Sequence, residues 1–278
     1  MFNIIKMNLY RLFRQKAFYI IPISTAIMCC LMVYLIWLTP RMENLATDSG
    51  FHIAVGPYGS NGIEPLPITE EFKLTEFIDE IFGSGMLMIF ISIAAAIITN
   101  AEQKNGFIKN VAGQISSRGM LTVAKLPGMM LECILVLAAA VFSCALAGRL
   151  LFSSFTLGSL SALAGALAVQ LMLAFGFCSL ILMICTLAGN AASGIITGIA
   201  LSAGIMPLVY TLINKVLWTY LHVPESFDIT RCFLSTHLMS ISTVSDTKTL
   251  TLGFVVGAVY LVACSAGAFV IITRKDIV

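Results

Sequence analysis

The sequence predicts an all-α polytopic membrane protein with six transmembrane helices, an N-terminal interfacial amphipathic helix and both termini in the cytoplasm. Three observations predict it. The 278 residues are 59% hydrophobic and only 11% charged, with mean hydropathy +0.97, whereas a soluble domain carries about 25% charged residues. The apolar residues gather in runs close to the roughly 20 residues that cross a hydrocarbon core about 30 Å thick. Lys and Arg flank alternate ends of those runs, the asymmetry that orients membrane proteins. The chain has room for about six such crossings and little else, which excludes a large extramembrane domain or a globular catalytic module. Residues 1–278 therefore read as a single transmembrane domain.

In chain order, residues 1–16 place Phe2, Ile5, Leu9, Leu12 and Phe13 on one helical face, with Lys6, Arg14 and Lys16 able to reach lipid phosphates. Such a helix lies in the interface plane, either as a topogenic anchor or with a mechanical role. The first span is 17–38. It is not expected to be a cleaved signal peptide, because a long helix-patterned segment precedes it and no small-residue cleavage site follows. The outer loop 39–81 opens irregularly on Pro40 and repeated Gly and Pro. It then predicts a short helix capped by Thr69, with Glu70 and Glu71 in its first turn, leading into the second span at 82–99. Its acids form a solvated face or attract a cationic substrate. A cytoplasmic segment, 100–128, precedes the third span at 129–152.

Leu150 to Asn214, 65 residues, contains no Asp, Glu, Lys or Arg. That length predicts two crossings, 157–188 and 192–213, joined at Gly189-Asn190-Ala191-Ala192-Ser193 by its turn-forming residues. An amphipathic outer segment, 214–248, with Trp218 and Tyr220 at the interface, leads to the sixth span at 249–273. Orientation follows from the cations. Lys6, Arg11, Arg14, Lys16, Lys104, Lys109, Arg118, Lys125, Arg274 and Lys275 put ten of the sixteen basic residues on one side. The loop 39–81 carries only Arg41 and Lys73 against eight acids. Seven of the eight cysteines fall within spans and only Cys232 in an outer loop, so no extracellular disulfide framework is available. Buried thiols of this kind serve as small apolar fillers.

The most specific chemistry lies between spans two and three. Glu102 starts a polar turn, Gly106 permits a sharp change of direction, and Phe107, Ile108 and Val111 share one side of a short helix. Ser116 can cap a third piece leading into the next span. Short helices with an apolar knob, projecting from a bundle, suit docking into a groove on a soluble partner. The run Glu-x-x-x-Gly-Phe-Ile-Lys-Asn, followed by Ser117-Arg118 and Ala124-Lys125, resembles the segment between spans two and three of ABC-2 type transporter permeases. It is closest to the small six-span Gram-positive permeases of lantibiotic immunity and peptide export. The likeness covers the layout of the whole chain; one departure is Phe107, where many relatives have Thr.

The resemblance implies that Gly106 to Gly113 is a coupling helix inserted into a cytoplasmic ATP-binding subunit, which holds the ATP and Mg while this chain binds no cofactor directly. Glu102, Asn105, Gly106, Phe107, Ile108, Lys109, Val111 and Arg118 would meet that partner, with Lys125 beside them, although basic residues here also simply enforce topology. It further implies a bacterial cell membrane, a second permease copy or paralogue, surrounding lipid, and no nucleic acid. It also implies short helices within 214–248 that dip back into the outer leaflet.

Glu132 and Arg149 are the charges within a predicted span. Arg149 sits near a span end, where snorkelling suffices; Glu132 either faces an inner vestibule or pairs with a neighbour such as Lys125. Gly194 and Gly198 form a small-residue face for close helix approach, and Gly204 and Pro207 favour a bend; pathway and packing roles are both open for these positions. No Gly-Lys dipeptide exists for a phosphate-binding loop, and no His-Glu-x-x-His is present. All three histidines, His52, His222 and His237, fall in outer segments. The chain is expected not to be an enzyme itself. Two functions fit: the permease subunit of an ATP-driven exporter of hydrophobic or amphipathic substrates, peptides among them, or a non-transporting assembly or sensory protein that docks a cytoplasmic partner.

Overall fold

A computed structural model describes residues 2–47, 71–104, 119–203, 206–220 and 229–274. Among these, the elements in order are α1 (Phe2–Arg14), α2 (Lys16–Thr47), β1 (Glu71–Lys73), α3 (Leu74–Gly83), α4 (Met86–Lys104), α5 (Gly119–Val123) and α6 (Leu126–Leu151). There follow β2 (Ser154–Thr156), α7 (Leu160–Ala188), α8 (Ala191–Ser202), α9 (Met206–Tyr220), a 3-10 turn (Ile229–Cys232), α10 (Leu234–Ser240) and α11 (Thr247–Arg274). Four stretches are long and apolar enough to cross a membrane: Lys16–Leu38, Gly119–Leu151, Leu160–Ala188 and Thr247–Arg274. The bent pair α3 and α4, which meet at 59°, makes a fifth if taken as one span. The architecture is that of an all-α, multi-pass membrane protein.

The uncharged stretch folds as its turn residues dictate. Ser159 caps α7, its side chain accepting from Ala162 N, and Gly189 ends the helix at φ 72° with its N–H on Cys185 O. The next residue, Asn190, starts α8 by accepting from Ser193 N at 2.8 Å. One residue thus closes a helix in the left-handed region that glycine tolerates, and its neighbour opens the next with an Asn cap. Helix α7 is central. It crosses α11 where a Cβ on Gly176 would lie 2.7 Å from Gly257 O, and Ser179 Oγ donates to Tyr260 O at 3.1 Å. Helices α2 and α6 pack through Cys29, Val33 and Cys144, all fully buried. The core is built from residues such as Phe177, Leu173, Ile181, Val136 and Met129. Exposed Phe142, Leu150, Leu187 and Val262 make several helices apolar all round, the pattern of membrane spans.

One expectation needs correction. The helix expected to start at Thr69 begins at Leu74, with Lys73 at its N-cap and no side-chain cap bond; Thr69 itself lies outside the described residues. Glu71–Lys73 instead pair in parallel with Ser154–Thr156, Phe72 opposite Phe155. Phenylalanines drive this small ladder in an otherwise helical fold. The Phe72 ring sits 4.9 Å from Phe152, 5.3 Å from Phe77 and 6.0 Å from Phe155, and Gly148 leaves room for it, since a Cβ there would come within 2.5 Å of the ring.

The fifth expected span, 192–213, read with a bend at Gly204 and Pro207, holds two helices. Helix α8 stops at Ser202 and α9 starts at Met206 with Pro207 in its first turn, where a missing N–H costs nothing. The second and fifth expected spans touch at their interruptions. Gly85, between α3 and α4, has φ 70°, and a Cβ on it would lie 2.8 Å from Ser202 O. At the same end, Asp79 binds the loop before α11: Thr243 N donates to Oδ1 at 2.7 Å and Thr243 Oγ1 to Oδ2 at 2.6 Å.

His237 lies on the short helix α10 and is buried, its Nε2 2.8 Å from Arg231 O. Helix α3 adjoins α4 across Gly85, and all eight cysteines are free, with Cys232 exposed.

Candidate functional site

Asn105, Gly106, Phe107, Ile108, Lys109, Val111 and Arg118, with Gly113 and Ser116, lie outside the described residues. Glu102 is in the last turn of α4. What is described is the mounting on either side of that segment. Helix α4 leads into it and α5 leads out. Gly119, the first residue of α5, lies under the Phe269 ring of α11, and any side chain there would overlap it. At the joint between α5 and α6, Lys125 is 6% exposed and its Nζ donates to Thr99 O at 2.7 Å. Thr99 Oγ1 in turn donates to Ala95 O. A buried, charge-assisted bond therefore ties the end of α4 to the start of α6. Leu12 of α1, 4% exposed, packs on the same joint, where a Cβ on Gly128 would be 3.2 Å from its Cδ2.

Beyond the joint, α4 presents Ser92 and Ala96, both fully buried, to α8. Gly194 and Gly198 are the points of contact. A Cβ on Gly194 would overlap Cys185 Sγ and stand 3.3 Å from Ala96 Cβ; one on Gly198 would overlap Ser92. The small-residue face read from the sequence is thus pressed against α4. Pro207 lies on α9, past the break.

Glu132 is on α6, seven residues from Lys125, roughly 10 Å along the axis. It is 1% exposed, and neither carboxyl oxygen has a hydrogen-bond partner. Pairing with Lys125 is therefore not formed: the ammonium group turns to the carbonyl end of α4 instead, where it also neutralises the helix dipole. The carboxyl lies among Ala94, Ile98 and Val136 where α4, α6 and α7 meet, and no space there is wide enough for water. Beside it Cys133 Sγ and Cys178 Sγ are 3.2 Å apart. Arg149, by contrast, is exposed in the last turn of α6.

No group of three or more His, Cys, Asp or Glu among the described residues could hold a metal ion. What the arrangement provides is mechanical and electrostatic: two helices, α4 and α6, tied at one end, α8 pressed on α4, and a dry acid where α4, α6 and α7 meet. Thr99, Ser92 and Cys178 were not singled out from the sequence. Ser92 and Cys178 carry no sequence signal that separates them from other small span residues, while Thr99 closes an apolar run just before Asn100.

These features define a multi-pass α-helical membrane protein in which α4 and α6 are fastened together by the Lys125–Thr99 bond. In comparison with known proteins, no protein family, no curated protein and no solved structure matches the chain.

Proposed function

We propose that this chain is the membrane-spanning subunit of an ATP-driven exporter of the ABC-2 type, in a bacterial cell membrane, moving a hydrophobic or amphipathic substrate such as a peptide. The observation that carries the reading is the Lys125–Thr99 tie. A force on residues 105–118 would reach α4 and α6 together, because their near ends are bonded, and α4 would pass it to α8 through the Ser92–Gly198 contact. Without such a tie, the two helices could slide independently and a docked partner would have nothing to push.

In this reading α8 and α9 are the two parts of the fifth crossing, so six spans leave both termini in the cytoplasm. The short helix α10 supports a dipping element before the sixth: Gln170 Nε2 donates to Leu238 O at 3.0 Å, about 15 Å along α7 from its start. A separate subunit supplies ATP hydrolysis with its own Mg. A second copy or a paralogue completes the conduit, since six helices alone enclose no wide path.

Gly106→Pro and Phe107→Asp should each cut co-purification of a cytoplasmic ATP-binding subunit while membrane insertion stays intact. Unchanged co-purification removes the coupling assignment. Co-purification without any substrate-stimulated ATPase activity in the wild-type complex would favour partner docking without transport.

A further inference from the structure

Helix α11 has its own hold on the chain where it re-enters the bundle. Phe269, in the last two turns of α11, lays its ring on Gly119, and a Cβ there would overlap the ring. Gly119 opens α5, and Lys125, six residues on, donates to Thr99 O of α4. The stretch between them is stiff. Ala124 N donates to Met120 O at 3.0 Å, Lys125 N to Thr122 O at 3.2 Å and Met129 N to Lys125 O at 3.1 Å, which carries the hydrogen-bond ladder from α5 into α6. Leu121, Thr122 and Ala124 are all buried. A block about 9 Å long therefore has α11 seated on one end and α4 bonded at the other.

The two ends lead to different helices. Lys125 leads to α4 and, through Ser92 and Gly198, to α8. Phe269 leads to α11, which is clamped to α7 along much of its length. A Cβ on Gly257 would lie 2.9 Å from Met172 O, and one on Gly267 would lie 2.9 Å from Met183 Sδ. Between them Ser179 Oγ donates to Tyr260 O at 3.1 Å. Backbone packed on backbone leaves no soft side chain to absorb a displacement, so α11 and α7 shift together. The ring on Gly119 works in the same way. A shift of α5 toward α11 drives its backbone into the ring. A shift away opens a gap beneath it, and a gap of about 0.5–1 Å already forfeits roughly a quarter to a half of the attraction.

We propose that Phe269 is a positioning residue that makes the sixth span a second output of any displacement of α5, so that α11 and α7 move in step with α4 and α8. The source of that displacement rests on the coupling reading of residues 105–118; the seating of the ring does not.

The test uses the full chain in nanodiscs, with Cys232→Ser removing the exposed native thiol. Nitroxides on Ile20→Cys and Thr273→Cys report α11 against α2, and nitroxides on Ile20→Cys and Ala192→Cys report α8 against α2, all three positions being exposed. Distances are read by double electron–electron resonance. In the chain alone, Phe269→Ala should broaden the distances to Thr273→Cys and leave those to Ala192→Cys unchanged. Phe269→Leu, which keeps an apolar body over Gly119, should restore most of the narrow distribution. No broadening in Phe269→Ala would mean that the ring does not hold α11, which overturns the proposal whatever the chain does. In the complex purified with its ATP-binding subunit, ATP and Mg should shift both distances by about 1–2 Å or more, the scale of helix shifts in switching transitions. Phe269→Ala should lose the shift at Thr273→Cys and keep the one at Ala192→Cys, and Lys125→Met should do the reverse. A shift at Thr273→Cys that survives Phe269→Ala, or that is missing while Ala192→Cys moves, overturns the proposal and leaves the coupling reading standing. Absence of both shifts without any substitution at Phe269 or Lys125 overturns that reading and the proposal with it.

Discussion

Replacing Glu132 by Met should make the protein more stable. The carboxyl is 1% exposed, neither oxygen has a partner, and the space around it admits no water. Its cost is therefore the full desolvation of an unmet polar group, about 1–3 kcal/mol per group. Methionine is unbranched, close in length and adaptable in shape, so it fills the same space without strain. Exchanging buried charged groups for apolar ones of similar volume is commonly neutral or stabilising by about 1–4 kcal/mol. The expected gain for Glu132→Met is about 1–3 kcal/mol, read as a tenfold to hundredfold shift in the unfolding equilibrium in a mixed-micelle denaturant titration. Glu132→Gln keeps two polar atoms in the same dry place and should change stability by less than about 1 kcal/mol. If Glu132→Met instead costs more than about 1 kcal/mol, the carboxyl has a stabilising partner and the reasoning fails.

Four further outcomes follow from the packing. Gly198→Ala should lose about 1–3 kcal/mol, as overpacking does, because its Cβ would overlap Ser92. Gly165→Ala on α7, with nothing within 4 Å, should gain up to about 1 kcal/mol of helix propensity; the same denaturant titration reads both. Lys125→Met should cost about 1.5–3 kcal/mol for the lost charged hydrogen bond. In the reconstituted complex it should leave the ATPase bound but unstimulated, and full stimulation would show that the Thr99 tie carries no force. Asp79→Ala removes both bonds from Thr243. It should expose the loop before α11 to added protease, while Glu76→Ala, which breaks an exposed i,i+3 pair with Lys73, should not.

Much of the fold was legible because membrane helices announce themselves by composition. The turn within Gly189 to Ser193 was readable from its turn-forming residues, and the left-handed glycine and the Asn cap narrow it to Gly189 and Asn190. Gly194 and Gly198 were readable as contact points because an apolar helix has few reasons to carry two glycines four apart. The parallel ladder was not readable. Glu71, Phe72 and Lys73 carry helix-like acids before them, and what makes them extended is a set of rings from residues 77 to 155 that only the folded chain assembles. The partner of Lys125 was missed for a related reason. A cation near an acid in sequence invites an ion pair, but the carbonyl of Thr99, 26 positions away, is nearer in space and needs no second buried charge. The break after Ser202 was half readable: Gly204 and Pro207 pointed to a bend, but not to two separate helices.

Gly85 and Ser202 make two interruptions into a single articulation. The backbone between α3 and α4 turns where φ is 70° and where no side chain fits against the last residue of α8. Neither chain segment can straighten or swivel without displacing the other, so any widening of the bundle at that end must turn both elbows at once. A rigid rod would have to tilt through its whole length to do the same.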